Sequence, residues 1–236
     1  MIYNKPSISG KHIVQASATA VQIESYSEKV RKGQNPCGLP PCPHCQITSD
    51  YFSQHEKRKR RFFIFAEQIV KVIIGLLCRW KCPGCGKTFT DYPEFAIPYK
   101  RYTLPTIMAF THWYVNDEPM TYRKLVQEVA LGYESRENGD IDERQLAHST
   151  IFRWITTLGD FSEIIRKGQD LINQADPAST ICRDLAGLTI SAKKYMSSAR
   201  KKVLHCCRQI LHLDAVYRLC FKASIFPKLA TACGFS

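Results

Sequence analysis

The period of the apolar positions changes near Pro105. Before it, from Cys42 to Pro98, apolar residues come in short runs of strand character. Arg61–Phe65 is aromatic and apolar, Val70–Trp80 is rich in β-branched residues, and Lys87–Tyr92 follows a glycine turn. After Pro105 the spacing becomes helical. Ile107, Phe110 and Tyr114 recur on one stripe, and Tyr122, Leu125, Val126 and Val129 on the next. Leu146–Leu158 is helical again. Asp160–Ala175 places Phe161, Ile164, Ile165, Leu171 and Ile172 on one face and stops before Pro177. Ser191–Phe221 reads as one long helix or two shorter ones. Met1–Gly33 is polar, with a weak alternation at Ile13–Val21, and is expected to form a loose arm or an added strand. Asn35–Pro43, dense in Pro and Gly, reads as irregular chain. No internal repeat of roughly 20 to 50 residues is visible.

Composition narrows the class. At roughly 100–200 residues per domain, 236 residues make one or two domains, and an apolar share of 44% suits a packed core. The eleven cysteines are an odd number, and Met1–Lys11 lacks an apolar export segment. A cytoplasmic protein with reduced or metal-bound thiols is therefore expected, rather than a secreted disulfide scaffold. The longest apolar run, Val72–Cys78, falls far short of the roughly 20 residues of a membrane span.

The net charge is +12, which suits a polyanionic partner. Residues 1–103 carry +9, residues 104–160 carry −4, and residues 161–236 carry +7. The densest basic runs are Lys57-Arg58-Lys59-Arg60-Arg61, then Lys193-Lys194 and Arg200-Lys201-Lys202.

Two C-x-x-C pairs stand out: Cys42-Pro43-His44-Cys45 and Cys82-Pro83-Gly84-Cys85-Gly86. Two cysteines three apart on a tight turn present both sulfurs to one ion, and Zn²⁺ takes four ligands tetrahedrally. Pro83, Gly84 and Gly86 permit the turn, and backbone amides there can hydrogen-bond the sulfurs. A thioredoxin-like redox pair is the rival for a single C-x-x-C, but it belongs in a βαβ setting rather than between strands. Cys42, Cys45, Cys82 and Cys85 are thus expected to hold one structural zinc ion, with no open position for water or substrate. Cys37 and Cys78 lie close enough to compete, and Cys78 would share a strand face with Cys82. His44 is expected to point outward. Between the pairs lie Lys57, Arg58, Lys59, Arg60 and Arg61, expected to contact phosphates.

The fold class that follows is α+β. A small β-rich four-cysteine zinc ribbon (35–103) follows an amino-terminal arm (1–34). An all-α helix-turn-helix region (104–160) and a helical tail (161–236) complete the chain. In the helix-turn-helix reading, Thr121–Leu131 precedes a second helix at His148–Leu158. Ser149 and Thr150 suit the start of that helix as caps. Ile151, Trp154, Ile155 and Leu158 form its apolar face, leaving His148, Ser149, Thr150 and Arg153 to face the major groove of DNA. The link between these helices is longer than usual and acidic, with Glu134, Glu137, Asp140, Asp142 and Glu143 in it.

The segment Trp80–Tyr102 resembles a bacterial family of uncharacterised zinc-ribbon plus helix-turn-helix proteins associated with transposons. Its Cys-x-x-Cys-Gly-Lys-Thr-Phe block is followed by Pro93, Phe95, Pro98, Tyr99, Arg101 and Tyr102, which match a later block of that family. The resemblance covers roughly residues 40–160, and similar modules form the DNA-binding front of several transposases. It implies double-stranded DNA as partner, a mobile-element context and, at most, a transposase or recombinase alongside.

No catalytic centre is expected. Ile210–Asp214 is an apolar run ending in Asp, as in a first catalytic strand, but no Asp or Glu follows Asp214. A nuclease core needs several carboxylates to hold its metal ions. An Asp on a partly buried helix is the plainer reading. No phosphate-binding Gly-rich loop, G-x-S-x-G or H-E-x-x-H occurs. The adjacent Cys206 and Cys207 read as buried helix cysteines. Two other functions remain open at this stage. One is a truncated transposase fragment lacking its nuclease core, and the other is a zinc-ribbon adaptor for a protein partner.

Overall fold

The computed structural model describes residues 10–66, 69–117, 120–129, 132–134, 141–142, 146–190 and 196–226. The chain is mixed α+β: among these residues there are seven α-helices and a sheet whose main part is three antiparallel strands. No helix among them is long and apolar enough to cross a membrane.

Strands β1 (Ser53–Ala66) and β2 (Ile69–Lys81) pair antiparallel from Ser53↔Lys81 to Ala66↔Ile69, with one irregularity between Gln54 and Glu56. The expected strand segments fall inside them. β3 (Thr88–Asp91) joins the other edge of β2 at its carboxyl end, with Trp80 opposite Phe89. At the opposite end of that edge lies the parallel strand β4 (Gly132–Glu134), followed by β5 (Ile141–Asp142).

Between β3 and β4 the edge of β2 would be left unpaired. Helix α1 (Gly10–Lys32) covers it. Ser27 Oγ accepts a hydrogen bond from the Leu76 amide at 3.0 Å and donates to the Ile23 carbonyl at 2.6 Å. Capping an exposed strand edge in this way blocks pairing with another chain. On one side of the edge Ile23 packs with Phe62, Ile64, Leu77, Phe95 and Ala96. On the other, Val30 packs with Phe52, Cys78 and Trp80 beside the paired cysteines. Gly10–Lys32 is therefore a helix, not a loose arm or an added strand, and residues 1–9 lie outside the described residues. Among its described side chains the buried ones are Thr19, Ile23, Ser27 and Val30, half of them polar. A stripe that must bond a strand edge carries hydroxyls, so its helical period does not show in the apolar residues alone.

The remaining helices are α2 (Leu104–Asn116), α3 (Tyr122–Val129), α4 (His148–Gly159), α5 (Ser162–Ala175), α6 (Ile181–Gly187) and α7 (Ser198–Phe221). They share one apolar core, which runs from Phe65 and Val70 of the sheet to Phe226 and crosses residue 160 without a break. The expected region 104–160 and the tail from 161 onward are thus packed together. In α4, Ile151, Trp154, Ile155 and Leu158 are all buried. At about 1.5–3 kcal/mol per fully buried large apolar side chain, this stripe alone anchors the helix. Arg200, in the first turn of α7, ties α3 to α4. It donates to Thr156 Oγ1 at 2.9 Å and to the Tyr122 hydroxyl, and lies 4.2 Å from the Phe152 ring centre. This takes Arg200 out of the basic run 200–202, of which Lys201 and Lys202 are exposed. Lys193 and Lys194 lie outside the described residues.

α4 and α7 approach closely at Gly159. A methyl group there would sit 2.5 Å from Val203 Cγ1 and 2.9 Å from the Val203 carbonyl oxygen. Gly159→Ala is expected to destabilise the protein by about 2 kcal/mol through overpacking, read as a lower denaturant midpoint at an unchanged slope. An unchanged midpoint would mean that the helix pair relaxes freely.

Asp214 lies on α7, not on a strand, and is 3% exposed. Its carboxylate accepts from Arg218 Nε at 2.7 Å, Ser224 Oγ at 2.7 Å and the Ile225 amide at 3.0 Å. Cys206 and Cys207 are buried in the same helix, and Cys207 Sγ donates to the Ile155 carbonyl at 3.0 Å.

Candidate metal centre and basic ribbon

The two cysteine turns are built alike. The Cys42 amide donates to the Ile47 carbonyl at 2.8 Å, and the Gln46 amide donates back to the Cys42 carbonyl at 2.8 Å. In the second turn the Cys82 amide donates to the Lys87 carbonyl at 2.9 Å, and the Gly86 amide donates to the Cys82 carbonyl at 3.0 Å. The residue after the second cysteine is left-handed in both, with φ 60° at Gln46 and 69° at Gly86. This conformation directs both sulfurs of a turn to one side. A Cβ on Gly86 would meet nothing within 4 Å, so a side chain there costs only backbone strain. Gly86→Val should lower stability by about 1–2 kcal/mol. Gln46→Gly, which relieves the same strain but frees the unfolded chain, should stay within about 1 kcal/mol of wild type. Thermal unfolding of both variants checks this; a tolerated Gly86→Val would remove the strain argument.

The turns face each other. Cys42, Cys45, Cys82 and Cys85 place all four Sγ atoms within 4.8 Å of one another. Cys42 Sγ lies 3.5 Å from Cys85 Sγ, and Cys45 Sγ 3.3 Å from Cys82 Sγ. A tetrahedral ion with sulfur bonds of about 2.3 Å sets its sulfurs about 3.8 Å apart, so the four thiols fit one metal ion. Gly84 makes room for this approach, because a Cβ there would lie 2.4 Å from Ile47 Cδ1 and 3.3 Å from Cys45 Sγ.

The electrostatics agree. Burial opposes a Cys42 thiolate. Hydrogen bonds from the His44 and Cys45 amides and from the Cys85 and Cys45 thiols outweigh it, and bring its pKa down to about 7. For Cys45 the Ile47 amide favours the thiolate, but hydrogen bonding with the thiols of Cys82, Cys42 and Cys85, together with burial, outweighs it and pushes the thiol up to about 12. One thiolate is easily formed in this cluster, whereas four together need a cation.

Cys37 and Cys78 stand outside the four-sulfur group. Cys78 is fully buried, accepts from Gln54 Nε2 at 3.3 Å, and packs beneath the turns with Trp80 and Val30. His44 is exposed and stacks on Phe89, with ring centres 6.3 Å apart. The approach to the first turn is pinned to β3 by the Gly38 amide, which donates to Asp91 Oδ2 at 3.3 Å. Burial raises the pKa of that carboxyl.

The basic run lies along β1, whose residues Ser53–Lys59 are exposed. Its five cations are not equivalent. Arg60 turns inward, donating to the Ile97 carbonyl at 3.2 Å and to the Lys100 carbonyl, with its guanidinium over the rings of Phe62 and Tyr92. Lys57 donates to the Arg31 carbonyl at the end of α1 at 2.8 Å. Arg58 lies 4.0 Å from Glu56. Lys59 and Arg61 are exposed. Sequence reading treats the five alike, because which strand residue meets a loop carbonyl depends on the tertiary fold.

In α4, His148, Ser149 and Arg153 are exposed and Thr150 is half-buried. The cap position belongs to Ala147, so Ser149 and Thr150 sit in the first turn without capping it. α3 and α4 are not joined by a short turn. β4 and β5 lie between them and extend the sheet, which explains the length of the acidic link. Residues 135–140 of that link lie outside the described residues.

Residues 42–154 match a family described as a domain of unknown function (DUF6431). The match begins at Cys42, the first of the four clustered cysteines, and ends at Trp154 of α4. No curated protein and no solved structure matches the chain.

Proposed function

We propose that this chain is a DNA-binding protein organised by one structural zinc ion, with a mobile-element role, acting by binding rather than catalysis. The observation that carries the proposal is the placement of four converging thiols at the base of an exposed basic ribbon. Zinc is favoured among metals by an all-thiolate tetrahedral donor set. The closed set leaves no coordination position for a reacting group, which favours a structural role. Lys59 and Arg61, with Arg58 beside them, supply phosphate contacts, while His148, Ser149, Thr150 and Arg153 on the exposed side of α4 read bases. Asp214 is engaged by Arg218, Ser224 and Ile225, which favours a structural role for the carboxylate.

The test is affinity for random-sequence duplex DNA as a function of salt. Phosphate binding releases counterions, so affinity should fall steeply as salt rises. Lys59→Gln with Arg61→Gln should weaken binding on every sequence, and Arg153→Ala should relax sequence preference. Undetectable or salt-independent affinity would replace this reading with a protein adaptor, for which the exposed Ser53–Lys59 stretch of β1 offers a surface.

A further inference from the structure

Tyr99 departs from the economy of the surrounding loop. Its φ is 62°, in the left-handed region that disfavours residues with a Cβ, and its side chain is 84% exposed. A strained backbone that holds a large ring out in water gains nothing from burial, and such outliers persist only where neighbouring structure holds them. Here Arg60 does so. Its guanidinium donates to the carbonyls of Ile97 and Lys100, which bracket Tyr99. The Lys100 amide closes the turn on the Ile97 carbonyl at 3.2 Å.

The loop is also registered against the ribbon. The Phe63 amide donates to the Arg101 carbonyl at 2.9 Å, and the Thr103 amide to the Phe63 carbonyl at 3.0 Å, so Tyr102 runs parallel to β1 at Phe63. Residues 99–101 therefore lie beside the outer edge of β1 at Arg60 and Arg61. Lys59, Arg61 and Arg101 are exposed there and Lys100 partly so. The result is an exposed aromatic ring on a backbone held against a strand edge that carries cations.

We propose that Tyr99 is a stacking platform for an unpaired base, with Lys59, Arg61 and Arg101 holding the adjoining phosphates, so that the ribbon's partner is single-stranded DNA next to a duplex. This rests on the reading of the basic run as a DNA grip and names the form of DNA it takes. A sequence-tolerant site of this kind needs one face of one ring and flanking positive charge, because every base has a face to stack.

The test uses the full-length, zinc-loaded protein and fluorescence anisotropy on three labelled probes: a blunt duplex, the same duplex with a short thymidine tail, and the tail alone. Wild type should prefer the tailed duplex to the blunt one by about tenfold. Tyr99→Phe should keep that preference. Tyr99→Gly should bring the tailed probe down to the blunt level and raise the melting temperature, since it removes the ring and relieves the backbone. Tyr99→Asn, which also tolerates the left-handed region, supplies the same comparison if the glycine variant folds poorly. A missing tail preference in wild type, or one that survives in Tyr99→Gly and Tyr99→Asn, overturns the inference and leaves duplex binding standing. Failure to bind any probe overturns duplex binding as well.

Discussion

Cys82→Ser is expected to abolish metal retention and to melt the cysteine turns at a temperature where the helical core is still folded. Among the described residues, the apolar cluster beneath the cysteine turns has Val30, Cys42, Phe52, Cys78, Trp80 and Cys82 as its buried members, and two of these belong to the four-sulfur group. Structural zinc contributes an apparent ~10–16 kcal/mol in small zinc domains, as much as the whole stability of many folded domains. Without the ion, that small cluster has to hold the turns against the ordering entropy of their backbone. Helices α2–α7 draw on a separate and larger core, from Phe65 to Phe226. Metal content by mass spectrometry should fall from one ion per chain to none. The thermal transition should split, with an early phase seen in the near-ultraviolet signal of Trp80 and a later one in the helical signal. A variant that keeps one ion and a single unshifted transition would show that Cys82 is not a ligand.

Asp214→Ala is expected to cost about 3–5 kcal/mol, because two buried donors lose their acceptor at about 1–3 kcal/mol each, while Arg218, 46% exposed, turns to water. The carboxylate satisfies three donors at once, and two of them, Ser224 Oγ and the Ile225 amide, are buried. Removing it strands both and frees the turn that brings Ile225 and Phe226 into the core, where each is 1% exposed. For a chain of this length the melting temperature should drop by about 6–20 °C, at roughly 2–4 °C per kcal/mol. Asp214→Asn should cost less, because an amide oxygen can still accept from Ser224 and Ile225. If Asp214→Ala instead left stability intact, its burial would call for a different explanation.

What could be read from the chain follows the reach of each signal. The C-x-x-C pairs and the strands around them are local, and both appear where the spacing places them. So does the buried stripe of α4, because Ile151, Trp154, Ile155 and Leu158 repeat at helical spacing without interruption. α1 was hidden because it covers a strand edge, and the Ser27 hydroxyl that satisfies Leu76 breaks the apolar period. Within the basic run, Arg60 differs from Arg61 only in facing the Ile97–Lys100 loop, a contact nearly forty residues away in sequence. Gln46 and Tyr99 both adopt a backbone more natural to glycine. At Gln46 a hint existed, since the equivalent place in the second turn is Gly86. At Tyr99 there was none, because nothing in the order Pro-Tyr-Lys-Arg requires a positive φ. The acidic link between α3 and α4 was visible as an insertion, but its addition of strands to the sheet was not, since pairing with Ile69 and Val70 spans some sixty residues.

The central claim is that the metal-held ribbon is the DNA grip, so the most direct measurement follows DNA affinity through one cycle of metal removal and return. Anisotropy on a fixed duplex at constant salt would be recorded for the zinc-loaded protein, after chelation, and after zinc is restored. Affinity should fall sharply on chelation and return with zinc, while the helical signal stays largely intact throughout. Equal affinity in the metal-free state would contradict the account, because the DNA contacts would then not depend on the four cysteines.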